Sequence, residues 1–173
     1  EEETKVINPD GLYASLTVTV TKNGEYLAGR QTYNICSDWK FKKGSISAAS
    51  QKDFDDSRWE GVSIPHTWNA LDGQDGGNNY YRGEGWYRKT LAWDAAYENK
   101  RIYIEFLGAG SQAEMYVNGS SVGTHKGAYT AFRFDITDAL VPGQDNVLAV
   151  KVNNANAQEI APVLGGGPMF DFT

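Results

Sequence analysis

Cysteine is nearly absent from this chain of 173 residues, in which Cys36 stands alone. One cysteine excludes an intrachain disulfide, and it supports neither a thiolate metal site nor a Cys–His nucleophile. The two histidines, His66 and His125, lie far apart in the sequence. Each is better explained as a structural or surface residue than as a ligand, so we expect no cofactor in this chain.

Positive charge is also scarce, since 16 Lys and Arg residues face 22 Asp and Glu residues and the net charge is −6. The one basic cluster, Lys40, Lys42 and Lys43, is small for a surface that must neutralise phosphates. No apolar run approaches the length of a membrane span, and no signal peptide is visible at the polar start EEETKV. We therefore expect neither a nucleic-acid partner nor a membrane span.

Aromatic residues, in contrast, are abundant at 13% of the chain. The length suits about one domain, which can bury roughly 70% of its unfolded surface. Aromatic side chains suit a β-rich core, and their faces also pack against the apolar C–H faces of pyranose rings. Core packing explains most of them, and sugar recognition is the alternative for a few.

Apolar residues alternate with polar ones in short segments, and no helical periodicity is present. Turn signals separate the segments at nearly regular spacing. The strongest is Asn118 with Gly119, which predicts a type I′ hairpin turn with positive φ at both positions. The pattern predicts an all-β, antiparallel sandwich. The inward-facing sets are Leu16, Val18 and Val20; Ile102, Ile104 and Phe106; Ala113, Met115 and Val117; and Leu148, Val150 and Val152.

The organisation along the chain follows from the same signals. Residues 1–30 are predicted to form an arm and a hairpin that turns at Asn23 and Gly24 and could pair with a sheet edge. Residues 31–173 are predicted to form the sandwich. Within it we expect one strand over residues 33–41, a small polar connection over 44–53, and a single capped helical turn over 137–140.

The stretch 54–88 contains the most informative residues. Asp55 and Asp56 are the obvious adjacent carboxylates, and paired carboxylates at a set separation can act as acid and base in hydrolysis. Adjacent residues on an extended segment point to opposite faces, however, and Asp before Ser is a common turn device. Pro65 should end the strand that precedes it. Residues 69–79 are almost all Gly, Asn, Asp and Gln, which is typical of a loop.

Several ordered motifs resemble the N-terminal domain of glycoside hydrolase family 2, the family of β-galactosidases, β-glucuronidases and β-mannosidases. They are DDSRWEGVSIPHTWN, YYRGEGWYRK, EMYVNGSSVGTHKGAYTAFRFDITDAL and NVLAVKVNN. The resemblance runs from about Trp39 to the C-terminus. It implies a jelly roll like that of galactose-binding domains, in a β-galactosidase-like enzyme. It also implies that the catalytic glutamates lie on a separate barrel, so this fragment alone should be inactive.

The resemblance implies that the domain packs on the remaining domains of the same polypeptide and completes a pocket for a β-linked sugar. Asn69 and Asp72, in the polar loop, are the candidate sugar contacts, and a solvated loop is the equally good alternative. Asp171 is the third candidate, because FDFT resembles a family segment whose aspartate contacts the sugar and can bind a cation near it. The preceding GGGPM departs from the family's spacing.

Two further matters stay open from the sequence. Trp68, Tyr80, Tyr81 and Trp86 are candidate sugar-stacking residues, although the core better explains Trp86. The alternatives to an enzyme domain are a free-standing carbohydrate-binding module of the same fold and, with less support, an adhesion sandwich. A periplasmic or secreted location fits a glycosidase, and a cytoplasmic one is left open.

Overall fold

The computed structural model of the chain describes residues 31–68, 81–127 and 130–155, and the backbone alone of 14–22 and 25–26. The predicted sugar contacts Asn69, Asp72 and Asp171 lie outside these ranges. So do Tyr80 and the turn predicted at residues 23 and 24.

Short extended segments make up most of the described chain, and its only helical elements are three 3₁₀ turns, at Ser47–Ser50, Ala95–Tyr97 and Thr137–Ala139. The last of these corresponds to the helical turn predicted over 137–140. The strands, in chain order, are β1 (Ala14–Lys22), β2 (Glu25–Tyr26), β3 (Gln31–Asn34), β4 (Trp39–Lys43), β5 (Glu60–Val62), β6 (Glu84–Leu91), β7 (Lys100–Phe106), β8 (Gln112–Val117), β9 (Ser120–Lys126), β10 (Phe132–Asp135) and β11 (Asn146–Asn153).

Within the described ranges the strands form two antiparallel sheets. The first has five strands, in which β10, β7 and β1 are neighbours in that order and β1 also pairs with β2 and β3. The second has six strands in the order β5, β4, β6, β11, β8 and β9. The predicted all-β antiparallel sandwich is therefore confirmed.

The main core lies between the two sheets, where the predicted alternation holds. In β7 the residues Ile102, Ile104 and Phe106 are buried, and in β11 Leu148, Val150 and Val152 are buried. Inward-facing residues of β8 join the same cluster. Because successive strand residues point to opposite faces, each of these strands leaves its other face outside the core.

The hairpin turn predicted at Asn118 and Gly119 is also confirmed. Their φ angles are 50° and 90°, and they join β8 to β9. The Asn118 side chain donates to Asn146 Oδ1 at 2.7 Å and accepts from the backbone N of Val147 at 3.0 Å. This turn is therefore tied to the start of β11 as well as to its own hairpin.

The single strand predicted over 33–41 is wrong, because the chain forms two strands there that belong to different sheets. Asn34 Oδ1 accepts a hydrogen bond from the backbone N of Cys36 at 2.8 Å, which turns the chain at the end of β3. Asp38 has a φ of 58°. This left-handed residue ends the extended run, and β4 begins at the next residue in the other sheet.

The connection predicted to be polar over 44–53 instead covers the outer face of the six-stranded sheet. Ala49, in the 3₁₀ turn, is fully buried against Trp59, Trp86 and Ala149. Burial of Trp86 agrees with the core role expected for it, although it lies in this second cluster and not between the sheets. The six-stranded sheet therefore packs apolar side chains on both faces.

The hairpin predicted near the start of the chain contributes β1 to the first sheet. The register runs from Ala14 opposite Phe106 to Val20 opposite Lys100. Ser15 pairs with Glu105 on one side and with Asn34 on the other, so β1 is an interior strand and not an edge addition. The division into an arm over 1–30 and a domain over 31–173 stays a prediction.

Candidate functional site

The two ends of the predicted sugar-binding loop meet on the described structure. The chain leaves at Trp68 and returns at Tyr81, and the centroids of the two rings are 5.8 Å apart. Trp68 is only 5% exposed, and Tyr81 is half-buried. We refer to the residues that hold this point as the loop root, which consists of Lys43, His66, Trp68, residues 81–83, Tyr87 and Asn154.

Trp68 is locked into the loop root by packing and by one hydrogen bond. Its ring lies 5.6 Å from that of Phe41, centroid to centroid, and its Nε1 donates to Tyr87 Oη at 2.7 Å. A side chain at position 85 would overlap the Trp68 ring, so Gly85 of β6 is what allows the indole to approach the sheet. The leaving end of the loop is therefore rigidly placed.

His66 completes a short polar chain beside this indole. Its Nδ1 lies 2.9 Å from Tyr87 Oη, which also accepts the Trp68 hydrogen bond. Burial lowers the pKa of His66, and burial raises the pKa of Tyr87 far above its ordinary range. His66 is therefore neutral and Tyr87 protonated near pH 7, and a hydrogen bond donated by Tyr87 to His66 Nδ1 satisfies both groups.

Lys43, the last residue of β4, touches both ends of the loop. Its Nζ donates to the backbone O of Trp68 at 2.7 Å and lies 5.3 Å from the centroid of the Tyr81 ring. Tyr81 Oη in turn donates to the backbone O of Glu84 at 2.8 Å. One lysine side chain therefore bridges the leaving and the returning ends.

Asn154 fixes the returning end to the strand that leaves the sheet nearby. Its side chain accepts from the backbone N of Gly83 at 2.7 Å and donates to the backbone O of Tyr81 at 2.9 Å. Asn154 directly follows β11, and the segment that contains Asp171 continues from there. Both segments that carry predicted sugar contacts therefore begin at the loop root, while Asn69, Asp72 and Asp171 themselves lie outside the described residues.

The adjacent carboxylates Asp55 and Asp56 are both engaged in structural contacts. Asp55 Oδ1 accepts from the backbone N of Ser57 at 2.9 Å, and hydrogen bonds from Ser57 lower the pKa of Asp55. Asp56 contacts Lys40 at 2.7 Å and Arg88 at 2.8 Å. Partial burial acts to raise the pKa of Asp56, but these two cations hold it below its usual value. Neither residue is suited to donate a proton near pH 7.

A polar groove lies next to the loop root on the outer face of the six-stranded sheet. Its volume is about 240 Å³, and its lining includes Glu84 and Asn153, which adjoin Gly83 and Asn154 in the sequence. Glu114 and Lys151 within it form an ion pair at 2.6 Å. The groove offers hydrogen-bond donors and acceptors of the kind that sugar hydroxyls use.

No group of three or more His, Cys, Asp or Glu side chains within the described ranges is arranged to hold a metal ion. In the same part of the chain, no helix is long and apolar enough to cross a membrane.

The sequence analysis did not predict the roles of Lys43 and Asn154. The one signal in the sequence is their position: Lys43 is the last residue of β4, and Asn154 directly follows β11.

Comparisons with known proteins give a consistent result. A family model described as "Glycosyl hydrolases family 2, sugar binding domain" matches residues 32–161. A β-glucuronidase of Formosa agariphila is 38% identical over 133 residues, which cover 72% of this chain and 14% of the relative. A β-galactosidase of Thermoanaerobacter pseudethanolicus is 38% identical over 135 residues, covering 78% of this chain and 18% of the relative.

Solved structures agree with the sequence relatives. The crystal structure of a Bacteroides uniformis β-glucuronidase superposes with a TM-score of 0.74 and 45% sequence identity. The match covers 79% of this chain and 16% of that protein. The chain therefore spans less than a fifth of the length of the relatives named here.

Proposed function

The chain belongs to glycoside hydrolase family 2, and from that premise we propose that it completes the sugar pocket of a hydrolase whose catalytic carboxylates lie elsewhere in the same polypeptide. It does so as an N-terminal domain that packs on the catalytic barrel. On its own it does not hydrolyse O-glycosidic bonds, because such hydrolysis needs a pair of carboxylates at a defined separation. The adjacent Asp55 and Asp56 serve structural contacts instead.

The observation that carries this proposal is that packed side chains and hydrogen bonds hold both ends of the loop at the loop root. A loop positions polar groups for a ligand only if its ends are held by packed side chains and satisfied hydrogen bonds. Trp68 at one end is packed against Phe41, and Tyr81 at the other is bonded to Asn154. Trp68, the residue that precedes Asn69 in the sequence, is therefore held in place.

We propose β-galactosidase as the activity of the parent enzyme and β-glucuronidase as the second candidate, since relatives of both names are similar to this chain. A glucuronide carries a carboxylate that needs a cationic contact. Residues 69–79 include Asp72 and Asp75 but no Lys or Arg. Their negative charge supports a neutral sugar at this loop.

The test uses the full-length enzyme and nitrophenyl β-glycosides. Replacing residues 70–79 by a short glycine linker should raise KM for the preferred sugar at least tenfold. N69A or D72A alone should raise KM about tenfold, because the binding free energy of one or two hydrogen bonds corresponds to a factor of about ten in affinity. Unchanged KM values in all three variants would refute the proposal. The ratio of kcat/KM for galactoside and glucuronide decides between the two activities.

The isolated chain provides the complementary test. Purified residues 1–173 should show no turnover of any nitrophenyl glycoside, and detectable hydrolysis by the pure fragment would contradict the placement of catalysis on another domain. A free-standing carbohydrate-binding module is the second candidate function, and the polar groove beside Glu84 and Asn153 supports it. Titration calorimetry with mono- and oligosaccharides tests that candidate, for which we expect affinities no tighter than millimolar.

Two properties of the parent enzyme also stay proposals. We propose that Asp171 contacts the sugar and lies near a cation, which chelation followed by cation titration of the full-length enzyme tests, with D171A as the comparison. We further propose a periplasmic or secreted location, and cell fractionation with activity assays decides this point.

A further inference from the structure

We propose that Asn154 is a positioning residue for sugar binding, because its buried amide fixes residues 81–83, which connect the polar loop to strand β6. This inference rests on the function proposed above, and it assigns Asn154 an indirect role without contact to the sugar. Asn154 acts at the loop root, where residues 81–83 meet the end of β11.

The hydrogen bonds of Asn154 are concentrated on three consecutive residues of the returning chain. Its Oδ1 accepts from Gly83 N at 2.7 Å, and its Nδ2 donates to Tyr81 O at 2.9 Å. Its backbone N donates to Gly83 O at 3.1 Å, and its backbone O accepts from Arg82 Nη1 at 3.3 Å. The residue is 1% exposed. The side chain must therefore supply one acceptor and one donor at once, which an amide does and a carboxylate does not.

Residues 81–83 precede the sheet ladder, since β6 begins at Glu84. Gly83 has a φ of 150°, in the region that side chains rarely adopt, so the chain bends sharply before it joins the strand. Loss of the Asn154 side chain would leave the partly buried N–H of Gly83 and C=O of Tyr81 without these partners. The bend would then reorient to reach other partners or water, and the returning end of the loop would move with it.

A matched control lies at the other end of the same strand. Asn146, the first residue of β11, is 0% exposed. Its side chain accepts from Val141 N at 2.7 Å and donates to Gln144 O at 2.9 Å. The two asparagines are about 27 Å apart along the strand at 3.4 Å per residue. Each replacement removes a buried, hydrogen-bonded side-chain amide, but only Asn154 lies at the loop root.

The experiment compares N154A and N146A in the full-length enzyme, with N154D as a third variant that keeps the acceptor but places a carboxylate oxygen against Tyr81 O. KM, kcat and the melting temperature are measured for each, with assays run well below the lowest melting temperature. Both alanine variants should melt at lower temperature. N154A should raise KM about tenfold with little change in kcat, as expected when binding alone is weakened. N146A should leave KM unchanged, and N154D should raise KM at least as much as N154A, because its carboxylate would be buried against a carbonyl oxygen.

A double-variant cycle separates this inference from the proposed function. In an enzyme whose residues 70–79 are replaced by a short glycine linker, N154A should add no further increase in KM, because the groups that it positions are gone. An independent, additive increase would overturn the positioning role, and so would equal effects of N154A and N146A on KM. If the linker alone leaves KM unchanged, the proposed function fails. If the linker raises KM and N154A does not, this inference alone fails.

Discussion

Arg88 donates a hydrogen bond from Nε to Asp56 Oδ2 over 2.8 Å, although its side chain is only 2% exposed. Its remaining nitrogens donate to the backbone oxygens of Ala49, Gln51 and Phe54. One buried guanidinium therefore holds the segment from the 3₁₀ turn to Asp56 against the outer face of the six-stranded sheet. The charge is neutralised by a carboxylate and satisfied by carbonyls, as a buried cation requires.

We predict that D56A lowers the free energy of unfolding of the 173-residue chain by about 3 kcal/mol, because it leaves the buried Arg88 charge unpaired. At this chain length the melting temperature should fall by roughly 6–12 °C. Differential scanning calorimetry measures the change. D55A is the matched control, since Asp55 is exposed and bonds only within its own turn, and a shift as large as that of D56A would contradict the prediction.

The pH dependence of stability should report the burial of His66. Burial lowers its pKa in the folded state, while Glu60 acts to raise that pKa and Lys43 to lower it. Below the ordinary pKa of about 6.5 the unfolded chain therefore binds a proton that the folded chain does not. The stability that the neutral, buried His66 contributes is therefore fully present above about pH 6.5, and it is lost as the pH falls towards the pKa of His66 in the folded chain.

H66Q isolates this contribution, because other titrating groups affect both proteins equally. The melting temperature of the wild-type chain should fall more between pH 7.5 and 5.5 than that of H66Q. Thermal melts followed by circular dichroism at several pH values measure the difference. A wild-type minus H66Q difference that does not change with pH would show that burial does not lower the pKa of His66.

Close packing at Gly85 should make this position intolerant of a side chain. A Cβ at this position would overlap the rings of Trp68 and Phe41, so G85A should cost about 1–3 kcal/mol. It should also raise KM in the full-length enzyme, because Trp68 begins the loop. Urea denaturation and steady-state kinetics measure the two effects. G61A is the control, because a Cβ there meets nothing within 4 Å, and it should change neither quantity appreciably.

Lys43 should affect sugar binding more than stability. K43M keeps the apolar stem but removes the hydrogen bond to Trp68 O and the cation beside the Tyr81 ring. We expect a loss of stability below about 1 kcal/mol, since such contacts at exposed positions are weak, and a several-fold increase in KM. Lys42 lies on the opposite face of β4, so K42M should leave KM unchanged. Equal KM values for the two variants would contradict a role for Lys43 at the loop root.

Alternation along a strand was enough to predict much of the fold. The buried positions of β7, β8 and β11 follow directly from period two, and Asn118 with Gly119 predicts its turn because few other pairs adopt positive φ twice. The split between β3 and β4 was not predictable in the same way. It depends on a left-handed Asp38, a conformation that most aspartates do not adopt.

The contacts that organise the loop root and the outer face of the six-stranded sheet were not predicted, because they join residues distant in sequence. Arg88, in a strand, has the sequence pattern of a solvent-facing residue, and its burial depends on carbonyls 34 to 39 residues away. Asn154 bonds to Gly83 across 71 residues. Only the packing of one segment on another creates these partners, so a local pattern carries no trace of them. The loop contacts Asn69 and Asp72, in contrast, were proposed from composition and resemblance, and they stay proposals.

Strand β11 lies between β6 and β8 and is hydrogen-bonded to both along most of its length. The chain that leaves β11 after Asn153 is consequently anchored in the middle of a sheet and not at its edge. Pulling on this end of β11 loads its ladders with β6 and β8 together, so hydrogen bonds of both ladders must break before the strand can leave the sheet. A displacement that reaches Asn154 is therefore transmitted to both neighbouring strands at once.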